Sequence, residues 1–540
     1  MNALKRAVLL APALALSLAA CGSSQPLGGG AVGGKADAAR FLTQATFGPT
    51  LEDIDALTAS RDYSAWLDQQ RAAPMSLELP YLQSQNKSSI SQPDRLEAWW
   101  RFAVTAPDQL RQRMAFALSE IMVVSEVSSL ATHQDGLAYY NDLLIKDAFG
   151  NFRDLLQDVT LSPEMGHYLS MWHNQKPNPD IGIRSDENYA REVMQLFTIG
   201  LVQLDLDGSP KLDGNGNTIP TFTQSDVANL ARVFTGWSWG NGTSDADFDN
   251  VDGDWTVQMQ AYEVHHDENA KVIIDNTPVP AGMQAAPELK LALDKLFNHP
   301  NVGPFIGKQL IQRLTTSNPS PAYVARVARV FNDNGQGERG DLYAVARAIL
   351  LDPEARAAPT PGSGKIREPL LRPSHLWRAF HATAPNGRYD YLQAQGNLAQ
   401  SPLGAPSVFN FFRPTYRPLG VVAQAGLVAP EFGISDESTI IVASDELRRV
   451  AMTYTGSQGA SSGASDAILL DLTPWEDRAA NDPEQLVDDL GLVLMNGAMP
   501  KSMRQTLIDY VQTIPVDQTD QRVAELIYLI VSSPQYAAQG

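Results

Sequence analysis

Residues 109–126, QLRQRMAFALSEIMVVSE, carry the clearest helical pattern in the sequence. Apolar side chains recur there three or four positions apart, which is the spacing that lines one face of an α-helix. These positions are Leu110, Met114, Ala117, Leu118 and Ile121. The preceding Pro107-Asp108 is typical of a helix start, because proline fits the first turn and aspartate can cap it. The stretch therefore predicts one long helix with a buried face.

The same periodicity extends along the chain in both directions. It predicts helices at 36–44, 95–104, 136–147, 187–199, 224–234, 289–297, 302–313, 321–332, 342–351, 369–380, 435–453, 484–494, 503–512 and 521–531. Strand signals are few: 201–205 and 217–222 flank an Asp/Gly/Asn cluster, as in a hairpin, and 272–274 is a third candidate. We predict a mainly α protein, a large multi-helix globular domain with a small β-hairpin excursion near 200–280.

The composition excludes one class of partner. The chain has 540 residues, with 41 basic and 61 acidic side chains and a formal net charge of −20. Nucleic acids are bound through clustered Lys and Arg, so this acidic balance argues against a nucleic-acid partner. Hydrophobic residues make up 44% of the sequence, which is enough for a substantial core and too much for a disordered chain.

The N-terminus has the pattern of an export signal. Lys5 and Arg6 precede an apolar run over 7–18, which is too short to span a bilayer as a helix but has the length of a secretory signal. The sequence Leu18-Ala-Ala-Cys21 resembles the lipobox of bacterial lipoproteins, in which the cysteine receives a diacylglycerol and becomes the first residue. We therefore predict a signal peptide over 1–20 and lipidation of Cys21. The alternative is an ordinary signal peptide with a chance cysteine.

Cys21 also bears on where the protein resides. It is the only cysteine, so the exported chain would have no internal disulfide. Residue Gly22 is not aspartate, which resembles lipoproteins sent to the outer membrane. We expect a protein of the cell envelope, anchored by acyl chains such as palmitate to the outer membrane, on its periplasmic or cell-surface face. Several acyl chains make such an anchor stable.

The composition also divides the chain into segments. Residues 21–35 are rich in Gly and Ser and are expected to form a flexible tether after the lipidated cysteine. Residues 36–535 then form a single large, mostly helical domain. A Pro/Gly-rich stretch at 357–364 is the one candidate for a linker between two lobes of this domain.

The densest polar cluster is DENYARE at 186–192. Asp186 can cap the helix that follows it. Two side-chain pairs are spaced i, i+4: Glu187 with Arg191, and Asn188 with Glu192. One interpretation is a capped, salt-bridged helix. The other is a buried polar network lining a site, with Glu187 and Glu192 as acid/base carboxylates and Arg191 as their orienting partner.

Histidines give weaker signals. His265 and His266 could each supply a base or a metal ligand, but neighbouring side chains on a strand point to opposite faces, so at most one would serve a given site. Glu164 and His167 have the Glu-x-x-His spacing of di-metal bundles, yet no second such motif is present. His173 follows His167 by six residues, about 240° around a helix, so these two are not expected to converge.

Two further patterns leave alternatives open. The acidic stretch 245–254 has oxygen ligands enough for a loose Ca²⁺ site, although a solvated loop is favoured and no cofactor is firmly implied. Trp237 and Trp239 would lie on one face of an extended strand. If exposed they are a stacking platform for sugar rings, and if buried they belong to the core.

Several strings, taken in order, resemble those of one bacterial family, the domain-of-unknown-function family 1800 (DUF1800). The strings are RFLTQATFGPT (40–50), AFGNFR (148–153), DENYARE (186–192), FTGW (234–237), HPNVGPF (299–305), REPLLR (367–372) and SVFNFF (407–412). The resemblance implies a mostly helical, exported bacterial protein. It also implies a partner of the DUF1501 family, which resembles the alkaline phosphatase and sulfatase group. It brings no settled catalytic residues.

Two functions remain as hypotheses. The first is a hydrolase acting on an envelope or extracellular polymer, with Glu187, Glu192, Arg191, His265 and His266 as candidate catalytic residues. Its candidate ligand-binding residues are Asp186, Asn188, Trp237, Trp239, Arg367, Glu368, Arg372, Asn410 and Arg413. The second is a non-catalytic surface lipoprotein that binds a glycan or a partner protein through an acidic and aromatic face.

Overall fold

The computed structural model describes residues 32–461 and 465–540, and this part of the chain is mainly helical. Helices α1 to α9 are Lys35–Ala45, Leu51–Ser60, Tyr63–Ala72, Glu78–Ser84, Gln92–Thr105, Gln109–Ser119, Gln134–Asp147, Phe152–Leu161 and Pro163–Tyr168. Helices α10 to α17 are Asn188–Gln195, Gln224–Val233, Ala285–Asn298, Val302–Leu314, Pro321–Asn332, Leu342–Leu350, Pro353–Arg356 and Leu371–Ala379. Helices α18 to α25 are Ala394–Leu398, Val421–Gln424, Glu437–Ala451, Thr473–Asn481, Pro483–Met495, Lys501–Val511, Thr519–Val531 and Pro534–Ala537. The predicted mainly α class is confirmed.

The β structure consists of short pairs. Strands β1 to β9 are Trp237–Ser238, Gln260–Ala261, Lys271–Ile273, Thr277–Val279, Lys365–Ile366, Tyr454–Gly456, Gly459–Ala460, Leu470–Asp471 and Ala538–Gln539. Strand β1 pairs with β2, β3 with β4, and β5 with β9, all antiparallel. Strand β6 pairs antiparallel with β7 and parallel with β8. The β5–β9 pair ties residues 538–539 to the segment that carries Lys365 and Glu368.

The predicted pairing of 201–205 with 217–222 is present, but it does not form a regular two-stranded ladder. Residues 201–222 form only isolated bridges, at Val202–Pro220, Leu204–Pro210 and Leu212–Thr218. Two of these bridges contain proline, which has no N–H to donate to a ladder. A regular hairpin within 200–280 is β3–β4, which overlaps the third predicted strand at 272–274. Its turn residues Asp275 and Asn276 both have φ 55°. Positive φ at both central residues is the requirement of the tight turn whose twist matches a hairpin.

Helix α6 ends at Ser119, well before the predicted end at Glu126. Ile121 and Met122 remain buried, but they lie in a turn that leads into an extended segment. An apolar run that is buried on every side has no solvent face, so its periodicity does not mark where a helix stops. The early end places Glu120 at the C-cap of α6, inside the protein, with 3% of its surface exposed.

Helices α2, α3 and α8, each of ten residues, are not among the helices predicted from the sequence. Their start signals were nevertheless present in the sequence. Thr50 and Asp53 form a reciprocal capping box before α2, and Asp62 accepts hydrogen bonds from two backbone N–H groups at the start of α3. Asn151 caps α8 in the same way.

One contiguous hydrophobic core runs through the described residues, from Val32 to Tyr536. It includes residues on both sides of the stretch 357–364. At its centre the rings of Trp100 and Trp377 meet edge to face, with centroids 5.3 Å apart. Residues 1–31, which hold the predicted signal peptide, Cys21 and most of the tether, lie outside the described residues. Among the described helices, none is both long and apolar enough to cross a bilayer.

Leu118 tests the role of α6 in this core. Its side chain is fully buried, so the change Leu118→Ala leaves a cavity and is expected to lower the free energy of unfolding by about 2–5 kcal/mol. Leu212→Ala is the matched control, because Leu212 is 58% exposed and its truncation is expected to cost less than about 0.5 kcal/mol. Urea denaturation followed by circular dichroism measures both. Equal losses in the two variants would contradict this account of the core.

Candidate active site

The polar cluster at 186–192 lies at the surface. Arg191 and Glu187 form the predicted i, i+4 ion pair, with Nη2 and Oε2 3.0 Å apart, but their side chains are 38% and 37% exposed. Gln224 completes the group by donating to Glu187 Oε2 at 2.7 Å. The hypothesis of a buried acid–guanidinium network is therefore wrong for this pair. The arrangement is that of a salt-bridged surface helix.

The other members of this cluster differ in burial. Asp186 and Asn188 are exposed, and the Asp186 carboxylate accepts the Asn188 backbone N–H at 2.8 Å, a contact of the capping kind. Glu192 is buried, and its Oε2 has no hydrogen-bond partner within the described residues. Burial raises the pKa of Glu192, and Arg191 offsets part of the rise. Asp186 and Asn188 thus lie apart from the buried Glu192.

His265 and His266 lie in different environments, as expected, although His265 ends a 3₁₀ helix and His266 follows it. His265 is half-buried and stacks on Phe248, with ring centroids 3.8 Å apart. His266 is fully buried, and its Nε2 lies 3.2 Å from Glu288 Oε2. The second oxygen of Glu288 accepts a hydrogen bond from the Lys271 ammonium. His266 therefore belongs to a closed internal ion group.

Trp237 and Trp239 are 4% and 1% exposed, so the two indoles belong to the core and form no platform at the surface. The Trp239 indole packs against a stack of aromatic rings. In this stack His167 and His173 both pack on the Trp172 indole, with centroid distances of 3.8 and 3.3 Å. Helix α9 ends at Tyr168, so the helical angle between these histidines does not apply, and both rings contact the same indole.

The acidic stretch 245–254 uses its carboxylates locally. Asp247 accepts the backbone N–H groups of Thr243 and Ser244 at 2.7 and 2.8 Å, and these bonds lower its pKa to about 2. This is a turn held by its own side chain. Within residues 32–461 and 465–540, no three His, Cys, Asp or Glu side chains are grouped so that they could hold a metal ion.

A buried group of charges lies elsewhere in the molecule, and we call it the ion cluster. It consists of three carboxylates and three cations, each at most 5% exposed, together with two amides. Its members are Glu120, Glu368, Glu431, Arg113, Arg313, Lys365, Gln400 and Asn410. They come from α6 and its C-cap, α13, β5 with the segment before α17, the loops that hold residues 400 and 410, and the 3₁₀ helix Pro430–Ile434. Residues far apart in sequence thus meet in one desolvated place.

Lys365 holds the cluster together. Its ammonium donates to the Arg313 carbonyl at 2.9 Å and to Glu368 Oε1 at 3.0 Å, and it lies 3.2 Å from Glu431 Oε1. Arg113 donates to the same Arg313 carbonyl at 2.7 Å. An ammonium has three N–H donors, and all three acceptors here come from different parts of the chain.

Gln400 bridges the two central carboxylates. Its amide nitrogen lies 2.9 Å from Glu368 Oε2 and 3.3 Å from Glu120 Oε1, and its oxygen accepts the Leu370 backbone N–H at 3.1 Å. Asn410 donates a further hydrogen bond to Glu120 Oε1 at 3.2 Å. The other oxygen, Glu120 Oε2, lies 3.5 Å from Arg313 Nε without a hydrogen bond.

The environment drives the two carboxyl groups to opposite protonation states. Burial raises the pKa of Glu120 to about 8, the nearby charge of Glu368 contributes to this rise, and Arg313 offsets only part of it. Burial would also raise the pKa of Glu368, but Lys365 and Arg113 outweigh it and lower the pKa to about 2. At neutral pH Glu120 is therefore a proton donor beside an ionised carboxylate.

A surface cleft of about 410 Å³ reaches the ion cluster. Its floor is polar and contains Glu120, Arg313 and Asn410. Its walls are mostly apolar and include Phe305, Phe409, Phe412, Leu196 and Leu201. At the rim the exposed guanidinium of Arg413 lies 4.8 Å from the centre of the Phe409 ring. An apolar cleft with a few converging polar groups is the usual form of a small-ligand site.

Asn410 adopts a strained backbone at this floor. Its φ is 64°, in the left-handed region that residues with a side chain rarely occupy. The conformation turns its amide toward Glu120, while its N–H bonds back to the Ser407 carbonyl at 3.0 Å. Strain of this kind costs about 1–3 kcal/mol and clusters at functional sites.

The structure brings together three of the predicted ligand-binding residues and separates two others. Glu368 and Asn410 belong to the ion cluster, and Arg413 lies at the cleft rim. Arg367 is buried elsewhere, against His375 and under the Tyr536 ring. Arg372 lines a different cavity.

Six members of the ion cluster were not among the residues predicted from sequence: Glu120, Arg113, Arg313, Lys365, Gln400 and Glu431. A signal for Glu120 was present, since it is the only charge in the run AFALSEIMVV over 115–124. A charge inside an apolar run is costly unless it is paired or used. For Lys365 the signal was its i, i+3 spacing with Glu368. The sequence around Gln400 and Glu431 has no local pattern that would predict their part in the cluster.

The ion group around His266 gives a test of which charges are structural. Glu288→Gln leaves the buried Lys271 ammonium without its counter-ion and is expected to lower the free energy of unfolding by about 3–5 kcal/mol. Glu187→Gln removes an exposed ion pair and is expected to cost less than about 1 kcal/mol. Urea denaturation of both variants measures the difference. A loss at Glu187 as large as that at Glu288 would contradict the assignment of the 186–192 cluster to the surface.

Comparison with curated proteins and with solved structures finds no match for this chain. Comparison with protein-family models finds one that is described as "Protein of unknown function (DUF1800)" and matches residues 40–538. This span holds the seven strings that carry the resemblance, and it includes every residue of the ion cluster. The chain therefore belongs to the DUF1800 family.

Proposed function

We propose that this protein is a hydrolase in which Glu120 acts as the general acid at the floor of the cleft. The observation that carries the proposal is the position of this carboxyl, buried among cations and amides yet forming part of the cleft floor. A general acid must be protonated at working pH and within reach of the leaving group. The pKa of about 8 satisfies the first requirement, and the position of Glu120 in the cleft lining supports the second.

The neighbours of Glu120 support this role in distinct ways. Glu368 stays ionised and supplies negative charge that helps to keep Glu120 protonated. Asn410 and Gln400 fix the Glu120 carboxyl by hydrogen bonds to Oε1, which leaves Oε2 without a bond partner in the described residues. We assign the transferable proton to that oxygen, which is buried beneath the cleft surface. Arg313, whose Nε is 3.5 Å away, would stabilise the carboxylate after the proton has left.

The cleft favours a particular substrate class. Its walls present phenylalanine rings, and its floor presents amide and carboxyl groups, so it fits a molecule with flat apolar faces and hydroxyl groups. Sugar rings of a neutral polysaccharide have this character. An envelope or extracellular glycan is therefore our proposed substrate, and cleavage would be of a bond whose leaving oxygen takes the Glu120 proton.

The alternative is a non-catalytic surface protein that binds a glycan or a partner, such as a protein of the DUF1501 family. It relied on an exposed aromatic face, and Trp237 and Trp239 are buried. The cleft could still bind a glycan without cleaving it. Binding of glycans that is unchanged in Glu120→Gln, with no hydrolysis by either form, would favour this alternative.

Glu120→Gln tests the catalytic role directly. The change keeps the shape of the side chain but removes its transferable proton, so kcat is expected to fall by about 10²–10⁴. The full chain, purified in detergent, is assayed against neutral glycans and against generic ester and phosphate substrates. Glu164→Gln is the matched control, because Glu164 is also a fully buried carboxyl whose pKa burial raises well above its usual value, and it lies outside the cleft. Equal losses in both variants would count against Glu120.

The pH profile gives an independent measurement. Because Glu120 must be protonated and its pKa is about 8, kcat/KM is expected to be level below that pH and to fall as pH rises through it. The assay runs from about pH 6 to pH 10 on the wild-type chain, with circular dichroism at each pH to check that the fold persists. A falling limb centred near pH 4 would mean that a carboxyl with an ordinary pKa is the essential acid.

We also propose that Cys21 anchors the protein to the outer membrane. Incorporation of labelled palmitate into the intact protein is expected, and Cys21→Ser is expected to abolish it and to release the protein from the membrane fraction. Incorporation that persists in Cys21→Ser would overturn the assignment. The proposal rests on the lipobox resemblance and on the single cysteine of the sequence.

A further inference from the structure

A second cavity lies next to the ion cluster, on the other side of β5. Lys365 points into the ion cluster, and Ile366, the next residue, lines this cavity of about 310 Å³. Successive side chains of a strand point to opposite faces, so the two-residue strand separates the two sites. The cavity shares no lining residue with the cleft at Glu120. We call it the Arg372 cavity.

The walls of the Arg372 cavity are largely apolar. They are formed by α17, by α20, and by the end of α24 with the turn that follows it. The apolar side chains include Ile366, Leu398, Ile434, Ala443, Leu447 and Val531. A cavity of this size and lining is typical of a small-molecule site.

One strong charge faces into this apolar space. Arg372 Nε donates to the Arg367 carbonyl at 3.2 Å, and the Arg372 carbonyl accepts the Tyr536 hydroxyl at 2.9 Å, so both ends of the residue are fixed. Its two terminal nitrogens donate no hydrogen bond within the described residues. No carboxylate in that part of the chain lies within ion-pair distance of the guanidinium, although other half-buried arginines such as Arg326 form two-point pairs.

Arg372 is half-buried, so its guanidinium is only partly removed from water. Burial and the neighbouring charge of Arg367 lower the pKa of Arg372 to about 10, and the nearby carboxyl of Glu431 opposes this shift. The group therefore still carries its charge at neutral pH. Taking such a charge out of water is costly unless an anion accompanies it.

We propose that the Arg372 cavity binds a single-chain alkyl carboxylate, with the carboxylate on the two terminal nitrogens of Arg372 and the chain between α17, α20 and the end of α24. A planar carboxylate accepts two parallel N–H bonds from a guanidinium. The apolar walls would bury the alkyl chain. This site is independent of the hydrolase proposal.

The charge and lining of the cavity select this ligand over related ones. A doubly charged phosphate monoester would bring more charge than one guanidinium can neutralise in an apolar space. A neutral alcohol of the same length would leave the terminal nitrogens of Arg372 unpaired. A cationic amphiphile would place like charges together.

Isothermal titration calorimetry with the full chain tests the proposal, using decanoate below its micelle concentration as the probe. Decanoate is expected to bind, and 1-decanol and decyltrimethylammonium are expected to bind at least about tenfold more weakly. Arg372→Met keeps an apolar stem and removes the charge, so it is expected to weaken decanoate binding by about tenfold or more. Arg448→Met is the matched control, because Arg448 is exposed on α20 and outside the cavity.

Ser444→Phe gives a second test that leaves Arg372 in place. Ser444 is half-buried and lines the cavity, so a phenyl ring there would occupy the space of the alkyl chain and abolish binding. Thermal melting of each variant identifies any that fails to fold. Equal affinity for decanoate and 1-decanol, or undiminished decanoate binding by both folded cavity variants, would overturn the proposal.

Discussion

The ion cluster around Lys365 is the constraint on which the arrangement of the functional region depends. An ammonium that has left water needs an acceptor for each of its N–H groups, and here the Arg313 carbonyl and the carboxylates of Glu368 and Glu431 provide them. Removing one partner of a buried pair costs about 3–5 kcal/mol, because the other charge is left uncompensated. The cluster therefore fixes α13, β5 and the loop at residue 431 relative to one another. The β5–β9 pair adds residues 538–539 to this arrangement.

The same cluster creates the chemistry of the cleft. A carboxyl group acquires a pKa near neutrality when burial and a like charge act on it together, and both act on Glu120. Lys365 and Arg113 stabilise the ionised form of Glu368. The two carboxyls therefore differ in protonation although both are buried. The strained Asn410 backbone is part of this arrangement, since it orients the amide that holds Glu120. The DUF1800 family has no assigned function, so membership of it does not identify a reaction. The proposed function therefore rests on this geometry.

Sequence patterns were sufficient where a local rule decides the structure. Fifteen predicted helical segments each correspond to a helix, and 321–332 matches α14 at both ends, because an amphipathic face and a Ser-Pro start are local features. The patterns failed where burial on all sides removed the contrast between faces, as after Ser119. One interpretation of the polar cluster 186–192 also placed it in the interior, whereas Glu187 and Arg191 lie at the surface. Among the candidate residues, Glu368, Asn410 and Arg413 come together, but their central partner Glu120 was not recognised.

The sequence by itself determined the helical class, the acidic charge, the family strings and the pattern that predicts lipidation at Cys21. Each of these depends on composition or on neighbours within about one to two helical turns. Only the tertiary structure decided which charges meet. Tens to hundreds of residues separate Arg113, Arg313, Lys365 and Glu431 in the sequence. Their local sequence patterns do not indicate that these side chains lie together in one buried site. The physical reason is that a pKa and an ion pair are set by distance and burial in space, whereas periodicity reports only which face of an element is turned inward.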